Sequence, residues 1–328
     1  MHLRSYLQQL LPKNTDTKPA SEPMFAPTNI ALIKYWGKRD IELQLPTHSS
    51  LSVTLPGWGT TTEIALNQGR HDFILNNKII TPDDKQYLRL VDFLELVKPA
   101  AKIFYKVTST SQVPIAAGLA SSASGFAALV LALNDLHNWN LSLTELSIIA
   151  RIGSGSACRS FWPGFVIWQT GIRDDGLDSY GVPLTDKWPG LCLGILTHEV
   201  STKKISSRNA MINCAATSPL FKQWVQQAEV DLINIQTNIM QKYFGKFGEI
   251  IENNAHAMHA CMAASIPAII YSDAITENNL FAIKQLRKDG IEIYATQDAG
   301  ANVKCVFMKS DAPKIQKVFP NIQIIELF

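Results

Sequence analysis

Five short stretches of the chain carry residue types that can do chemistry on an anion. From Pro114 to Gly125 it reads Pro-Ile-Ala-Ala-Gly-Leu-Ala-Ser-Ser-Ala-Ser-Gly. Small residues let a backbone fold closely around an anion, and a helix beginning there points free N–H groups and partial positive charge at it. The serine hydroxyls can donate to phosphate oxygens or contact Mg2+. The glycine spacing is neither that of a Walker loop nor that of a dinucleotide-binding turn. A small-residue helix packed tightly on a neighbour is the competing reading.

The second stretch, Ala26 to Asp40, runs as an apolar strand into Lys34, Tyr35, Lys38 and Arg39. Cations and a phenol at one strand end suit a polyanionic ligand. A solvated basic turn is the competing reading, against which Asn29 and Gly37 suggest a shaped loop. The third stretch, Gly153 to Ser160, is another tight N–H-rich loop, holding Ser154, Ser156 and Arg159. An arginine there can fork onto a carboxylate or phosphate. The fourth, Lys203 to Met211, holds Ser207 and Arg208 and reads by itself as a mobile surface turn. In the fifth, Thr296 to Asn302, Asp298 stands alone in a glycine turn between apolar strands. It is a turn-forming aspartate or a buried base.

These stretches must be held by ordinary elements. Hydrophobic spacing predicts strands at 60–66, 72–80, 102–108, 165–169, 192–197, 291–296, 303–308 and 322–327. It predicts helices at 84–97, 121–136, 142–151, 221–243, 247–262 and 277–288. Strands and helices without regular alternation imply an α+β fold. The loop Arg173–Trp188, rich in Asp, Gly and Pro, is the expected junction between two domains, 23–185 and 186–328, behind an extension at 1–22.

Composition narrows the function. The 328 residues are 46% hydrophobic and 18% charged, which suits a sizeable core. A net charge of +2 supplies no global field for nucleic acid. Five widely spaced cysteines without a CxxC argue against a disulfide framework or zinc site and for a reducing cytoplasm. The apolar run Ile115–Leu133 is broken by Gly118, Ser121, Ser122, Ser124 and Gly125 and has no basic flanks, so a membrane span is not expected. His256 and His259, three apart, have no acidic third ligand nearby and are read as structural.

Taken together and in this order, the stretches resemble the GHMP small-molecule kinase superfamily and, within it, the diphosphomevalonate decarboxylases. The carriers are Asn29 to Lys38, Ser49 to Leu55, Ala116 to Ala128, Gly153 to Ser160, Ser206 to Arg208 and Asp298 to Gly300. The resemblance implies a two-domain GHMP-kinase-like α+β fold with the active site in the inter-domain cleft. It implies ATP with Mg2+, the phosphates lying over Gly118, Leu119, Ala120, Ser121, Ser122 and Ser124. Tyr35, Lys38, Ser207 and Arg208 would meet the substrate diphosphate, with Ser154 and Ser156 joining the substrate contacts. Arg159 would hold the substrate carboxylate and act as counter-charge to Asp298. Asp298 would face the tertiary 3-hydroxyl, with Lys34 in the same pocket and Ser122 at the transferred phosphate.

The implied reaction is ATP-dependent decarboxylation of (R)-5-diphosphomevalonate to isopentenyl diphosphate, by a homodimer that takes a small-molecule substrate. Action on mevalonate 5-phosphate or mevalonate, or 3-phosphorylation alone, is the alternative. His48, Asn209-Ala210 and Ala301 depart from the family pattern, and all lie in the substrate loops.

Overall fold

The computed structural model describes residues 3–7, 9–12, 16–113, 121–198 and 205–328. Its first half runs α1 (Leu3–Leu7), β1 (Met24–Ile33), β2 (Lys38–Asp40), β3 (Leu45–Pro46), β4 (Ser50–Asn67), β5 (Asp72–Leu75), β6 (Lys78–Ile80), α2 (Lys85–Val97), β7 (Phe104–Ser111), α3 (Ser121–Leu136) and α4 (Leu143–Gly153). A 3-10 turn at Gly155–Arg159 follows, then β8 (Phe165–Trp168) and β9 (Gly181–Pro183). The second half runs β10 (Leu191–Leu196), α5 (Ser207–Thr217), α6 (Phe221–Gln241), α7 (Phe244–Ala263), α8 (Ala274–Lys288), β11 (Ile293–Gln297), β12 (Val303–Met308), α9 (Ala312–Val318) and β13 (Gln323–Glu326).

In β1 the alternate residues Ala26, Thr28, Ile30 and Leu32 are buried, the period-two signature of a strand with one face on a core. β1 lies antiparallel along β4, which pairs β8 through its first residues and β7 through its last. The sheet order is β6-β5-β7-β4-β8-β9. Over it lies α3, whose Phe126, Leu129, Val130, Leu133 and Leu136 recur at helical spacing and are buried. Asp84 caps α2 by accepting from Gln86 N, and Ser142 with Glu145 closes a capping box on α4. The amino-terminal extension is tied down where Tyr6 and Leu7 enter this core.

The second sheet is antiparallel, in the order β11-β12-β10-β13. The last strand therefore stays in this sheet rather than returning to the first. The carboxy-terminal residue Phe328 does reach across, packing on Phe165 at 4.9 Å between ring centres. Helices α6 and α7 bridge the sheets. One apolar cluster joins Ile30 and Leu51 of the first sheet to Ile235 and Phe247 of the helices and Leu193 of the second sheet. Burial of that shared surface holds the two halves together and sets the cleft between them.

Two expectations differ from the structure. The segment 72–80 is a hairpin, β5 and β6, because Asn76 and Asn77 take positive φ at its turn. The stretch 207–211, read as a mobile turn, opens helix α5, with Ser206 as its cap accepting from Asn209 N.

Candidate active site

The residue-bearing ends of these elements converge on one cavity of about 620 Å³. Strand β1 delivers Lys34 and Tyr35 at its end, and Lys38 follows one turn later. Gly37 makes that turn: its φ is +115°, and a Cβ would stand 2.5 Å from Phe221 and 2.8 Å from Thr47. The backbone N–H of Lys34 is fixed by Asn254 Oδ1 at 2.8 Å, and Asn254 in turn donates to Asp231 at 2.8 Å. A buried polar chain across α6 and α7 thus positions the end of β1.

The 3-10 turn supplies the opposite wall. Asn29 Nδ2 donates to Ser156 O at 3.1 Å and Ser160 Oγ at 2.7 Å, locking the turn to β1. Gly155 must be small, since a Cβ would stand 2.9 Å from both the Tyr35 hydroxyl and Trp168. Arg159 is 2% exposed; it donates to Asn29 Oδ1 at 3.4 Å and to Ser50 Oγ. Among the described residues no carboxylate stands within ion-pair distance of it. Arg159, expected as the counter-charge of Asp298, forms no ion pair with it and feels it only through space.

Asp298 is instead clamped by two lysines. Lys34 Nζ donates to Oδ1 at 2.8 Å and Lys304 Nζ to Oδ2 at 3.1 Å. Burial raises the Asp298 carboxyl, but the ammonium groups of Lys304 and Lys34 outweigh it and hold the carboxyl well below its ordinary value. Its side chain is 37% exposed, and that opening is into the cavity it lines. Burial also pushes Lys34 down, against the pull of Asp298.

Near Lys38 the crowding is cationic. Burial, then Arg208 and Arg89, push Lys38 down to about 8, and its Nζ donates to Gln44 at 2.5 Å. Burial and then Arg208 push Arg89 down to about 10. The Tyr35 hydroxyl is buried with no hydrogen-bond partner among the described residues, and burial raises it beyond the ordinary phenol range. Buried orphans of this kind mark a place where a ligand completes the set. Among the described lining residues, six cationic side chains (Lys34, Lys38, Arg89, Arg159, Arg208, Lys304) face one carboxylate, Asp298.

The structure brings Lys34, Tyr35, Lys38, Ser122, Ser154, Ser156, Arg159, Ser207, Arg208 and Asp298 to this cavity. Ser122 Oγ and Ser154 Oγ stand 3.3 Å apart, joining the starts of α3 and of the 3-10 turn. Ser124 is placed elsewhere: its hydroxyl is buried against Thr60 at 2.8 Å and Thr28 at 3.3 Å. Ser121 lines a neighbouring cavity of about 290 Å³, which also touches Ser122 and Arg89. Gly118, Leu119 and Ala120 lie outside the described residues.

Sequence reasoning passed over Lys304, Arg89 and Gln44. Lys304 had a signal, a charge inside an apolar strand six positions after Asp298. Arg89 had none, since it is one polar position on an amphipathic helix.

Comparison with known proteins follows this geometry closely. Residues 26–181 match the diphosphomevalonate decarboxylase-like N-terminal domain, and residues 194–325 match the mevalonate 5-diphosphate decarboxylase C-terminal domain. The chain belongs to the diphosphomevalonate decarboxylase family. It is 37% identical to the diphosphomevalonate decarboxylase of Aspergillus fumigatus over 88% of this chain and 76% of that one. Against the enzyme of Saccharomyces cerevisiae the identity is 34%, over 88% and 78%. A solved structure of MDDEF in complex with MVAPP, AMPPCP and magnesium superposes with a TM-score of 0.88 at 36% identity, covering 94% of this chain and 96% of that one. The mevalonate diphosphate decarboxylase of Staphylococcus aureus gives the same TM-score at 34% identity and the same coverage.

Proposed function

We propose that this chain catalyses ATP-dependent decarboxylation of (R)-5-diphosphomevalonate to isopentenyl diphosphate, ADP, phosphate and CO2. The observation that carries this reading is the cavity's charge, six cations against one ionised carboxylate. Such a site takes a ligand with several negative charges and still offers one acceptor to a hydroxyl.

The roles follow from position. Lys38 and Arg208, with Ser207 and the orphaned Tyr35 hydroxyl, take the substrate diphosphate at the crowded cationic corner. That corner carries more positive charge than a single phosphate ester needs, so the 5-phosphate is not the favoured substrate. Arg159, with Ser154 and Ser156 beside it, takes the carboxylate. Asp298 accepts a hydrogen bond from the 3-hydroxyl and aims it at the γ-phosphate. The smaller cavity, with Leu90, Val107 and Phe126 as apolar walls and Asn76 and Gln86 as polar contacts, takes the nucleoside. The serines at the start of α3, Ser121 and Ser122, lie where the two cavities meet and where the phosphates must pass.

Mg2+ enters with the nucleotide. The described lining offers it the Ser122 and Ser154 hydroxyls rather than a carboxylate cage, which suits an ion already held by phosphates. When bound it supplies charge neutralisation at the phosphates.

The chemistry balances. The γ-phosphoryl group breaks from ADP and moves to the 3-oxygen as the hydroxyl proton, oriented by Asp298, passes to a phosphoryl oxygen, making a good leaving group. The C3–O bond then breaks with loss of phosphate, the bond to the carboxyl carbon breaks with loss of CO2, and its electron pair forms the alkene. Positioning and charge stabilisation do most of this work.

Two domains meeting near residue 185, and a homodimer, complete the reading. Val230, Ile233 and Met240 form an exposed apolar stripe on α6 that supports self-association. The five cysteines, all buried free thiols, support a reducing cytoplasm. No helix among the described residues is long and apolar enough to cross a membrane.

Product analysis tests the reading. With diphosphomevalonate and MgATP, ADP, phosphate and CO2 are expected in equal amounts. ADP without CO2 would make the protein a 3-kinase, and equal turnover of the 5-phosphate would overturn the substrate assignment.

A further inference from the structure

Lys304 sits where a lysine is costly. It lies on β12, the second strand of its sheet, paired to β11 on one side and β10 on the other, between the fully buried Val303 and Cys305. It is itself 2% exposed. An ammonium in such a place is retained only when paired and hydrogen-bonded. Among the described residues its hydrogen-bond partner is Asp298 Oδ2, at 3.1 Å.

The other lysine on Asp298 is held differently. Lys34 Nζ also donates to Ala31 O at 2.9 Å, so β1 keeps it in place whatever Asp298 does. Lys304 has the carboxylate and the open cavity. The Asp298 loop is further tied by Gly300 N donating to Asp298 O at 2.7 Å and by Thr276 Oγ1 on Ala301 O at 2.8 Å. These bonds fix the backbone of the turn and leave the plane of the carboxylate to the lysines.

We propose that Lys304 is a positioning residue for the reaction, holding the Asp298 carboxylate ionised and in the plane from which it meets the substrate's tertiary hydroxyl. This deepens the decarboxylase reading above and rests on it.

Four elements present titratable or charged groups to Asp298: Lys34 from β1, Lys304 from β12, His259 from α7 and Arg159 from the 3-10 turn. Burial pushes His259 down to about 4, so it is neutral near pH 7 and adds no charge. Arg159 forms no hydrogen bond to Asp298 among the described residues, donating to Asn29 and Ser50 on its protein-facing side. The two lysines therefore carry the ionisation of Asp298 between them. A carboxylate so held is a weak base but a well-aimed acceptor. That suits phosphoryl transfer through a loose transition state, in which orientation of the nucleophile counts for more than removal of its proton. Without Lys304 one ammonium remains, burial gains weight, and the carboxyl moves up while its plane is free to turn.

The experiment compares wild type, Lys304→Met and Lys304→Gln. Steady-state rates are taken across about pH 5 to 9, with KM for each substrate and a melting temperature. CO2 release by wild type reads the reaction itself; its absence is a failure of the decarboxylase reading, separate from what the variants report. In Lys304→Met, kcat is expected to fall by about 10²-fold with both KM values within about threefold, and an acidic limb to enter the low end of the pH range, where the wild-type profile is flat with respect to Asp298. Glutamine keeps a donor to Oδ2 but no charge. Lys304→Gln is therefore expected to recover about tenfold of the lost kcat while keeping that acidic limb. Wild-type kcat and a wild-type pH profile in either folded variant overturn the proposal. So does a raised KM with unchanged kcat, which would make Lys304 a plain substrate contact.

Discussion

Arg151 and Arg159 stand eight positions apart, both buried, both without an ion-paired carboxylate among the described residues, and they do opposite things. Arg151 is used up by the protein. Its guanidinium donates to Leu43 O at 3.0 Å, Gly176 O at 2.8 Å, Ser179 O and the Tyr6 hydroxyl at 3.0 Å, stitching α4 to three separate segments. Arg159 meets two neutral side chains, Asn29 at 3.4 Å and Ser50, and lines the cavity. A buried cation satisfied by carbonyls is a structural staple. A buried cation that meets only neutral side chains and keeps one side on an open cavity waits for an anion. Charge and burial alone do not separate the two cases; the count and quality of partners does.

The largest effect that sharpens this contrast is expected at the acid opposite Arg159. Asp298→Asn keeps the size of the group but removes the charged acceptor between two buried lysines. Turnover should fall by about 10²–10⁴-fold with both substrates still bound, read by kinetics beside a binding measurement on one preparation. Turnover within a few-fold of wild type would return Asp298 to the role of a turn residue.

Next come the arginines themselves. Arg159→Met should lower kcat/KM by about 10²–10³-fold with little change in melting temperature, since a buried charge-assisted contact to substrate is lost. Arg151→Met should do the reverse. Several carbonyls lose their donor, and stability should fall by about 3 kcal/mol or more, while the folded fraction turns over normally. Denaturant unfolding together with kinetics checks both, and matching losses in the two variants would erase the distinction.

Smaller effects are expected at the diphosphate corner. Lys38→Met should weaken the diphosphate substrate by about 1.5–3 kcal/mol and ATP far less. Because Lys38 is pushed down to about 8, its charged form is lost as pH rises through that value. Substrate affinity should therefore decline above about pH 8 in wild type and lose that decline in the Met variant. Ser122→Ala should lower turnover by about tenfold, with a stability loss no greater than about 1 kcal/mol.

Much of this contrast was legible in the sequence, and the reasons for the remainder are local. The glycine and serine stretches stood out because few other structures need that many small residues together. Asp84 and Ser142 stood at the starts of the expected helices 84–97 and 142–151, where the structure makes them caps. Helix α5 was not, since it buries only Ala210 and Cys214 and so shows no apolar stripe. Strand β9 is three residues long and was absorbed into the expected junction loop. The Lys34–Asp298 pair joins residues 264 positions apart, and no local pattern records such a partner. The same limit led to Arg159 being assigned as the counter-charge of Asp298. Both belong to one cavity, but two lysines make the direct bonds to the acid and Arg159 acts on it only through space.

The central claim is that Arg159 is held open for the substrate's carboxylate. It is tested most directly by calorimetry, in wild type and Arg159→Met, of diphosphomevalonate and of a diphosphate analogue lacking the carboxylate. Wild type should prefer the carboxylated ligand by about 10²-fold, and Arg159→Met should bind the two within a few-fold of each other. An unchanged preference in the variant would contradict the account and move the carboxylate to another cation in the cavity.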